Sequence, residues 1–308
     1  MQRELAPVIL FTYNRPDHTE KVLNALAVNY LASETNLYIF CDGPKNVKAV
    51  EKNQLTRRII KDEVEKGRFK SVKIRISENN KGLARSIISG VTEIISEYGK
   101  CIVLEDDHIT SRYFLTYMND ALDYFFKDER IWSISGFTYA LNSLKQYPHD
   151  IYLSYRANSH GWATWQNRWN TVDWTVSDFK QLSRSPIRIW KFNRGGNDLF
   201  RMLRHQVRGE RDSWAIRFCY SQSKQNKLAV YPRVSLVKNI GFDGSGTHCQ
   251  AMDGELNSDF QAEIDCIKIE DVRLNKDIVR DFKRMYSVKF LEAMDWGVKK
   301  IKVLFRGN

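Results

Sequence analysis

The chain lacks most of what would mark it for a membrane span, a disulfide scaffold or a structural metal. Across its 308 residues no apolar stretch approaches the roughly 18 residues needed to cross a bilayer. A secretory pattern is also missing, because Arg3 and Glu4 precede an apolar run of only a few residues before Asn14 and Arg15. The expected location is therefore the cytoplasm. Five cysteines, Cys41, Cys101, Cys219, Cys249 and Cys266, form an odd and scattered set without paired metal spacing. That excludes a disulfide framework and a zinc knuckle. No histidine pair sits at metal spacing and no G-x-x-x-x-G-K occurs, so a Walker-type phosphate loop is excluded too.

What is present is positive charge and an ordered alternation of apolar runs. The formal charge of +11 draws polyanions: nucleic acid, anionic lipid or phosphorylated small molecules. Val8 to Phe11, Leu37 to Cys41, Val72 to Ile76, Cys101 to Leu104 and Ile131 to Ser135 have the length and composition of strands. Between them Val22, Leu23, Leu26 and Tyr30 recur at helical spacing, as do Leu83, Ile87, Val91 and Ile94, then Phe114, Tyr117, Met118, Ala121 and Phe125. Strand and helix in alternation predict an α/β fold with a mostly parallel sheet flanked by helices.

In such a sheet the carboxyl ends of the strands share one rim, where ligands bind. The segments leaving the strands are "TYNRPD", "DGP", "SENNKG" and "EDDH". All are polar, which gathers Arg15, Asp42, Asn79, Lys81 and the triplet Glu105, Asp106 and Asp107 on one edge. In "KCIVLEDDHI" nothing local neutralises those three acids. Were the strand to continue, Glu105 and Asp107 would share a face about 7 Å apart. At an effective dielectric near 20 that pair costs about 2 kcal/mol. The run is either exposed to water or holds a cation. Carboxylates are hard oxygen donors, so the ion expected is Mn2+ or Mg2+, its shell completed by water and substrate phosphates. Arg15 would complement the same diphosphate. The glycine-free "TYNRPD" also argues against a nucleotidyltransferase, which needs a glycine-rich loop there to wrap a triphosphate.

The second half differs in character. Six of the eight tryptophans lie between Tyr152 and Trp214, and most are expected in the core. "GWATWQNRW" and "GERDSWAIRF" nevertheless set polar groups beside rings, the mixture that binds sugars. "NIGFDGSGTHC" holds Gly241, Gly244 and Gly246 and has the composition of a loop that closes. From Lys276 to Asn308, nine Lys or Arg face four acids and two apolar lines run at helical spacing, Val279, Phe282, Tyr286, Phe290 and then Leu291, Met294, Val298, Ile301. A basic amphipathic helix of this kind either lies on an anionic membrane surface or packs on the body with a solvated basic face.

Taken in order, "VILFTYNRPDHTEKVL", "IFCDGP", "NKGLARSII", "CIVLEDDHITSRYFLTYMNDAL", "IWSISGF", "GW" at Gly161 and Trp162, "RDSWAIRF" and "YPRVSLVKNIGFDGSGTH" resemble the GT-A glycosyltransferases. The branch resembled most is that of N-acetylglucosaminyltransferase I and its bacterial relatives. The likeness spans about residues 6 to 250. It implies a nucleotide-sugar-binding α/β half over 1–140 and an acceptor-binding and catalytic half over 141–255 of the same domain; the C-terminal helical basic tail over 256–308 lies outside it and is read from its own pattern. The resemblance gives Arg15 and Asp42 to the nucleotide, Asp42 facing base or ribose, and Glu105 and Asp106 to ribose or sugar hydroxyls. It makes Asp107 the metal ligand. Asp212 takes the place of the catalytic base, with Glu210 as the alternative because Ser213 intervenes before Trp214. Arg85 and Ser86 fall where the family approaches the donor from a helix start. His248 would reach the metal or diphosphate as its loop closes.

The implied activity is inverting, metal-dependent transfer of a sugar from a nucleotide-sugar donor, UDP-linked by expectation, to a glycan or lipid-linked glycan acceptor in bacterial surface polysaccharide synthesis. The enzyme would work on the cytoplasmic side, as a peripheral membrane protein where its tail engages lipid. Two other readings stay open: a non-catalytic basic nucleic-acid-binding protein, against which stands the absence of any recognisable nucleic-acid motif, and a degenerate transferase kept as a scaffold. The partner expectation is accordingly no nucleic acid.

Overall fold

The computed structural model describes residues 4–241 and 260–286. Ten strands are present among them: β1 Val8–Thr12, β2 Asn36–Cys41, β3 Ser71–Ile76, β4 Lys100–Glu105, β5 His108–Thr110, β6 Ile131–Ser135, β7 Ile151–Ser154, β8 Trp162–Trp165, β9 Leu228–Pro232 and β10 Val237–Asn239. The helices are α1 Pro16–Ala27, α2 Val47–Glu65, α3 Leu83–Tyr98, α4 Phe114–Tyr124, α5 Gln166–Trp169, α6 Phe179–Ser183, α7 Pro186–Phe192, α8 Leu199–Val207, α9 Trp214–Lys224 and α10 Lys276–Met285.

Eight strands form one sheet in the order β3-β2-β1-β4-β8-β6-β9-β7. All pairings are parallel except those of β8 and β7, which run against their neighbours. The expected α/β class with a mostly parallel sheet therefore holds. β1 and β4 lie inside the sheet and are covered on both faces, which is why they consist of apolar runs without alternation. Side-chain alternation splits them between two layers. Val8, Leu10, Ile102 and Leu104 belong to the apolar layer that also holds the buried faces of α1 and α4. Ile9, Phe11, Cys101 and Val103 belong to the opposite layer, where α3 covers them and α9 packs on α3.

Several sequence expectations shift in detail. Tyr30 lies beyond the end of α1 and is exposed, and Leu83 at the start of α3 is exposed as well. Of the expected helical tail, 260–275 is a non-helical strap, held by contacts such as the Lys268 amide to Asp150, and helix begins only at Lys276. That helix turns its apolar line inward: Phe282 packs edge-on against Tyr139 and Tyr231. Phe290 and the second apolar line lie outside the described residues. Trp162, Trp165, Trp169 and Trp214 are buried as expected, whereas Trp190 is 61% exposed.

Register fixes the rim. Thr12 pairs with Cys41 and Cys41 with Ile76, while Phe11 pairs with Glu105. The carboxyl ends of β1, β2, β3 and β4 are thus level, and the loops after them leave together. Because β8 is antiparallel to β4, with Trp162 opposite Val103, His160 and Gly161 arrive at that same rim.

Candidate active site

The acidic triplet occupies the end of β4 and the tight turn into β5. β5 forms its own two-stranded ladder with β10, pairing His108 with Asn239. Chain from more than a hundred residues downstream is thereby delivered to the turn. The Ile240 amide donates to the Asp107 carbonyl at 2.9 Å, and the Gly241 amide donates to the Asn239 side chain at 2.7 Å. Gly241 touches the carboxylate so closely that an added Cβ would stand 2.2 Å from Asp107 Oδ2 and 3.0 Å from Arg15 Nη1. On the other side, His18 Nε2 lies 3.3 Å from the Ile240 carbonyl.

The neutralising charge that the local sequence does not supply comes from the loop after β1. Pro16 opens α1 and directs the preceding Arg15 across the rim. Its guanidinium makes a short ion pair with Asp106 and donates to Asp107 Oδ2 at 3.1 Å. Asp106 and Asp107 are nearly buried, at 4% and 7% exposure, so this pairing is not dissipated in water. Two polar atoms are left over. Arg15 Nη1 and Asp107 Oδ1 are both buried without a hydrogen-bond partner. His108 Nε2 lies 3.3 Å from Asp107 Oδ1 but outside hydrogen-bond geometry. The His108 Nδ1 is taken by the Glu105 amide at 3.0 Å, which fixes the tautomer with its proton on Nε2.

Burial and crowding set the protonation of the cluster. Burial, then Asp107 and Asp106, push the Glu105 carboxyl well above the usual range. Asp106 is raised to about 6, burial outweighing the opposing pull of Arg15. Burial also disfavours a charged Asp107, but the neighbouring His108 and Arg15 reverse this and hold it low. Since burial keeps His108 uncharged down to about pH 3, Arg15 is the cation that maintains the Asp107 carboxylate near neutrality. At Arg15 the cost of burial is more than offset by Asp106 and Asp107, and its pKa is raised.

The residues singled out from sequence divide into those that meet and those that do not. Arg15, Asp106 and Asp107 form one ion-paired unit with Glu105 at its edge. Asp42 belongs to a different part of the rim. Its Oδ1 accepts from the amides of Gly43 and Lys81 at 2.9 Å each, and its Oδ2 from Gly82 at 2.9 Å and Lys81 at 3.1 Å. All its acceptor directions are therefore used by main chain at the start of α3, where Gly82 holds the left-handed φ of 78° that this arrangement needs. Arg85 is exposed on the first turn of α3 and Ser86 is half-buried there. Asp212 is exposed and pairs with Arg217 at 2.8 Å. It precedes Ser213, whose hydroxyl caps α9 through the Ile216 amide. Trp214, two residues on, stacks on Trp162 at 4.8 Å, which ties this segment to β8 beside β4. Glu210 pairs with His205. His248 lies outside the described residues.

Sequence reasoning missed His108 and His160, and it placed Gly241 in a closing loop without its contact to Asp107. His160 stacks edge-on against His108 at 5.4 Å, and its Nδ1 is buried without a partner. Their common signal was faint: single residues brought together by two antiparallel pairings of strands far apart in the chain.

Among the described residues no group of three or more His, Cys, Asp or Glu is placed to hold a metal ion. The donor set still fits a hard divalent cation that relies on substrate for its shell. Such ions need one or two carboxylates, and Asp107 offers a buried oxygen without a hydrogen-bond partner. Among the described residues, no helix is long and apolar enough to cross a membrane.

No protein family and no curated protein matches the chain. Solved structures overlap it at low identity. Residues 1–349 of S. aureus TarS are 11% identical over 76% of this chain, with a TM-score of 0.43. The galactosyltransferase LgtC, solved with donor and acceptor sugar analogues, is 11% identical over 57%, with a TM-score of 0.33. A UDP-glucose pyrophosphorylase complexed with UDP-glucose is 12% identical over 74%, with a TM-score of 0.36. The chain spans 59% of the TarS structure, 65% of LgtC and 90% of the pyrophosphorylase. At these TM-scores the overlaps carry no functional argument.

Proposed function

We propose that the chain is an inverting, metal-dependent glycosyltransferase of the GT-A kind that uses a nucleotide-sugar donor. The observation that carries this reading is the pair of buried, unpartnered atoms at the rim, Asp107 Oδ1 and Arg15 Nη1. One is an oxygen suited to a divalent cation and the other a donor suited to a phosphate oxygen. Buried polar groups are otherwise almost always paired, so a ligand carrying both a cation and an anion satisfies them together. A metal diphosphate is such a ligand.

In this reading Asp107 holds Mn2+ or Mg2+, and the bound ion supplies charge neutralisation for the departing diphosphate. Arg15 keeps Asp107 ionised and aimed, and directs Nη1 at the same phosphates. Glu105 meets a hydroxyl of ribose or sugar. Asp212 takes the proton from the acceptor hydroxyl as the acceptor oxygen bonds to the anomeric carbon and the bond to the diphosphate breaks. With one base and no covalent intermediate the anomeric centre inverts. Asp42 shapes the rim through its main-chain bonds and faces the base or ribose. The UDP moiety, the hexosyl or N-acetylhexosaminyl group, a glycan or lipid-linked glycan acceptor and a place in surface polysaccharide synthesis remain part of the proposal.

The full chain, incubated with Mn2+ and a panel of nucleotide sugars, is expected to release nucleotide from at least one donor. Asp107→Ala and Asp212→Ala are each expected to lose most of that release. Near-normal turnover in Asp107→Ala would overturn the metal-diphosphate reading. Near-normal turnover in Asp212→Ala alone would move the base elsewhere, Glu210 being tested next.

A further inference from the structure

We infer that the helical excursion α6–α8 is a docking surface for an anionic lipid bilayer, entered by Ile187 and Trp190. Residues 180–211 hold nine Lys or Arg against two acids. That is a net of +7, more than half of the chain's +11, in about a tenth of its length. Asp198 does not offset it, being buried in a bidentate pair with Arg156 at 2.9 and 3.1 Å; Glu210 pairs with His205 and lies 3.9 Å from Arg208, so it offsets at most that one cation. Seven of the nine cations are exposed, among them Arg184, Arg188, Lys191, Arg204 and Arg208.

The same excursion exposes apolar groups that the core does not use. α7 buries Phe192 and half-buries Ile189, which seats its inner face. Its outer face sets Ile187 and Trp190 three residues apart at 69% and 61% exposure, so they stand side by side. Arg188 and Lys191 flank them at the same spacing. Lys283 of α10 adds a further cation 5.8 Å from the Trp190 ring. An indole and an aliphatic chain surrounded by cations match the interfacial layer of an anionic membrane, where rings sit at headgroup level and Lys and Arg meet phosphates. Nucleic acid would satisfy the cations and leave Ile187 without a role. The C-terminal residues 287–308 follow directly from α10, but they carry five Lys or Arg against two acids, and like charge disfavours them as the cover of this face.

The test is co-sedimentation of the full chain with phosphatidylcholine vesicles, with and without phosphatidylglycerol, and it needs no nucleotide sugar. Binding is expected only to the anionic vesicles and should weaken as salt rises. At roughly fivefold per cation, R188Q/K191Q should weaken it about 25-fold; I187S/W190S should weaken it at least tenfold. Both variants alter exposed side chains and should keep the wild-type melting temperature. K299Q/K300Q/K302Q, changing only the tail, should bind within about threefold of wild type. Equal binding to neutral vesicles, full binding by folded R188Q/K191Q or I187S/W190S, or loss confined to the tail variant would each overturn the inference. Binding to RNA or DNA in place of anionic vesicles would overturn it as well.

Discussion

Gly241→Ala is the sharpest single perturbation of the rim. The added methyl would lie 2.2 Å from Asp107 Oδ2, so the carboxylate must retreat by about 1 Å to reach ordinary contact. Nothing forbids the backbone itself, since Gly241 has no positive φ. The fold should therefore survive, losing about 1–3 kcal/mol through overpacking and a weakened Arg15 to Asp107 bond. Function should suffer far more, because a displacement of about 1 Å at a positioning group costs on the order of 100-fold in rate. The assay is nucleotide release under saturating Mn2+ and donor, alongside a urea titration. Asp107→Ala and the double variant complete a cycle: once Asp107 is gone, the Gly241 change should cost little more. Full activity in Gly241→Ala would refute the argument that this contact aims Asp107. So would additive losses in the cycle.

Three further outcomes follow from other contacts. Asp42→Ala removes the acceptor of the Gly43, Lys81 and Gly82 amides and should cost about 2–4 kcal/mol in urea unfolding; a loss below 1 kcal/mol would contradict that role. At Asp173 burial alone would raise the pKa, but hydrogen bonds from Ser177 and Thr175 outweigh it and bring it to about 2. A depressed carboxylate stabilises above its unfolded pKa and loses that contribution as pH falls through the folded one. Asp173→Asn should therefore cost about 1 kcal/mol at neutral pH, after allowing for solvent screening, and progressively less toward pH 2; a pH-independent difference would refute it. Asp198→Ala leaves the buried Arg156 guanidinium without its carboxylate and should cost about 3–5 kcal/mol by denaturant titration. A near-neutral result would mean that the Tyr286 ring, 3.7 Å from the guanidinium carbon, suffices to hold it.

The strands best legible in the sequence are those buried on both faces, such as β1 and β4, because there the chain is apolar without interruption. α3 and α4 were legible from their periodicity. α2 was not, because its buried positions include Asn53, Thr56 and Glu63, which break the apolar stripe. β8 escaped notice because Trp162 and Trp165 resemble sugar-binding rings as much as a four-residue strand, and only pairing with β4 and β6 decides between them. At the site, the triplet was visible as three adjacent acids. The contacts that give it a geometry were not, because Arg15 precedes Asp107 by 92 residues and Gly241 follows it by way of the β5–β10 ladder. Asp42 shows the converse: its residue type and place suggested a ligand contact, while its hydrogen-bond partners are main-chain amides that no side-chain pattern announces.

The antiparallel strand β8 also constrains how the protein moves. It is laced to β4 on one side and to β6 on the other, so the early and late portions of the chain share an unbroken ladder. Parting them like a clamshell would tear main-chain hydrogen bonds at the centre of the sheet. A protein built this way has a stiff floor and no hinge within it, and any rearrangement at the rim falls to the loops that follow β1, β2 and β3.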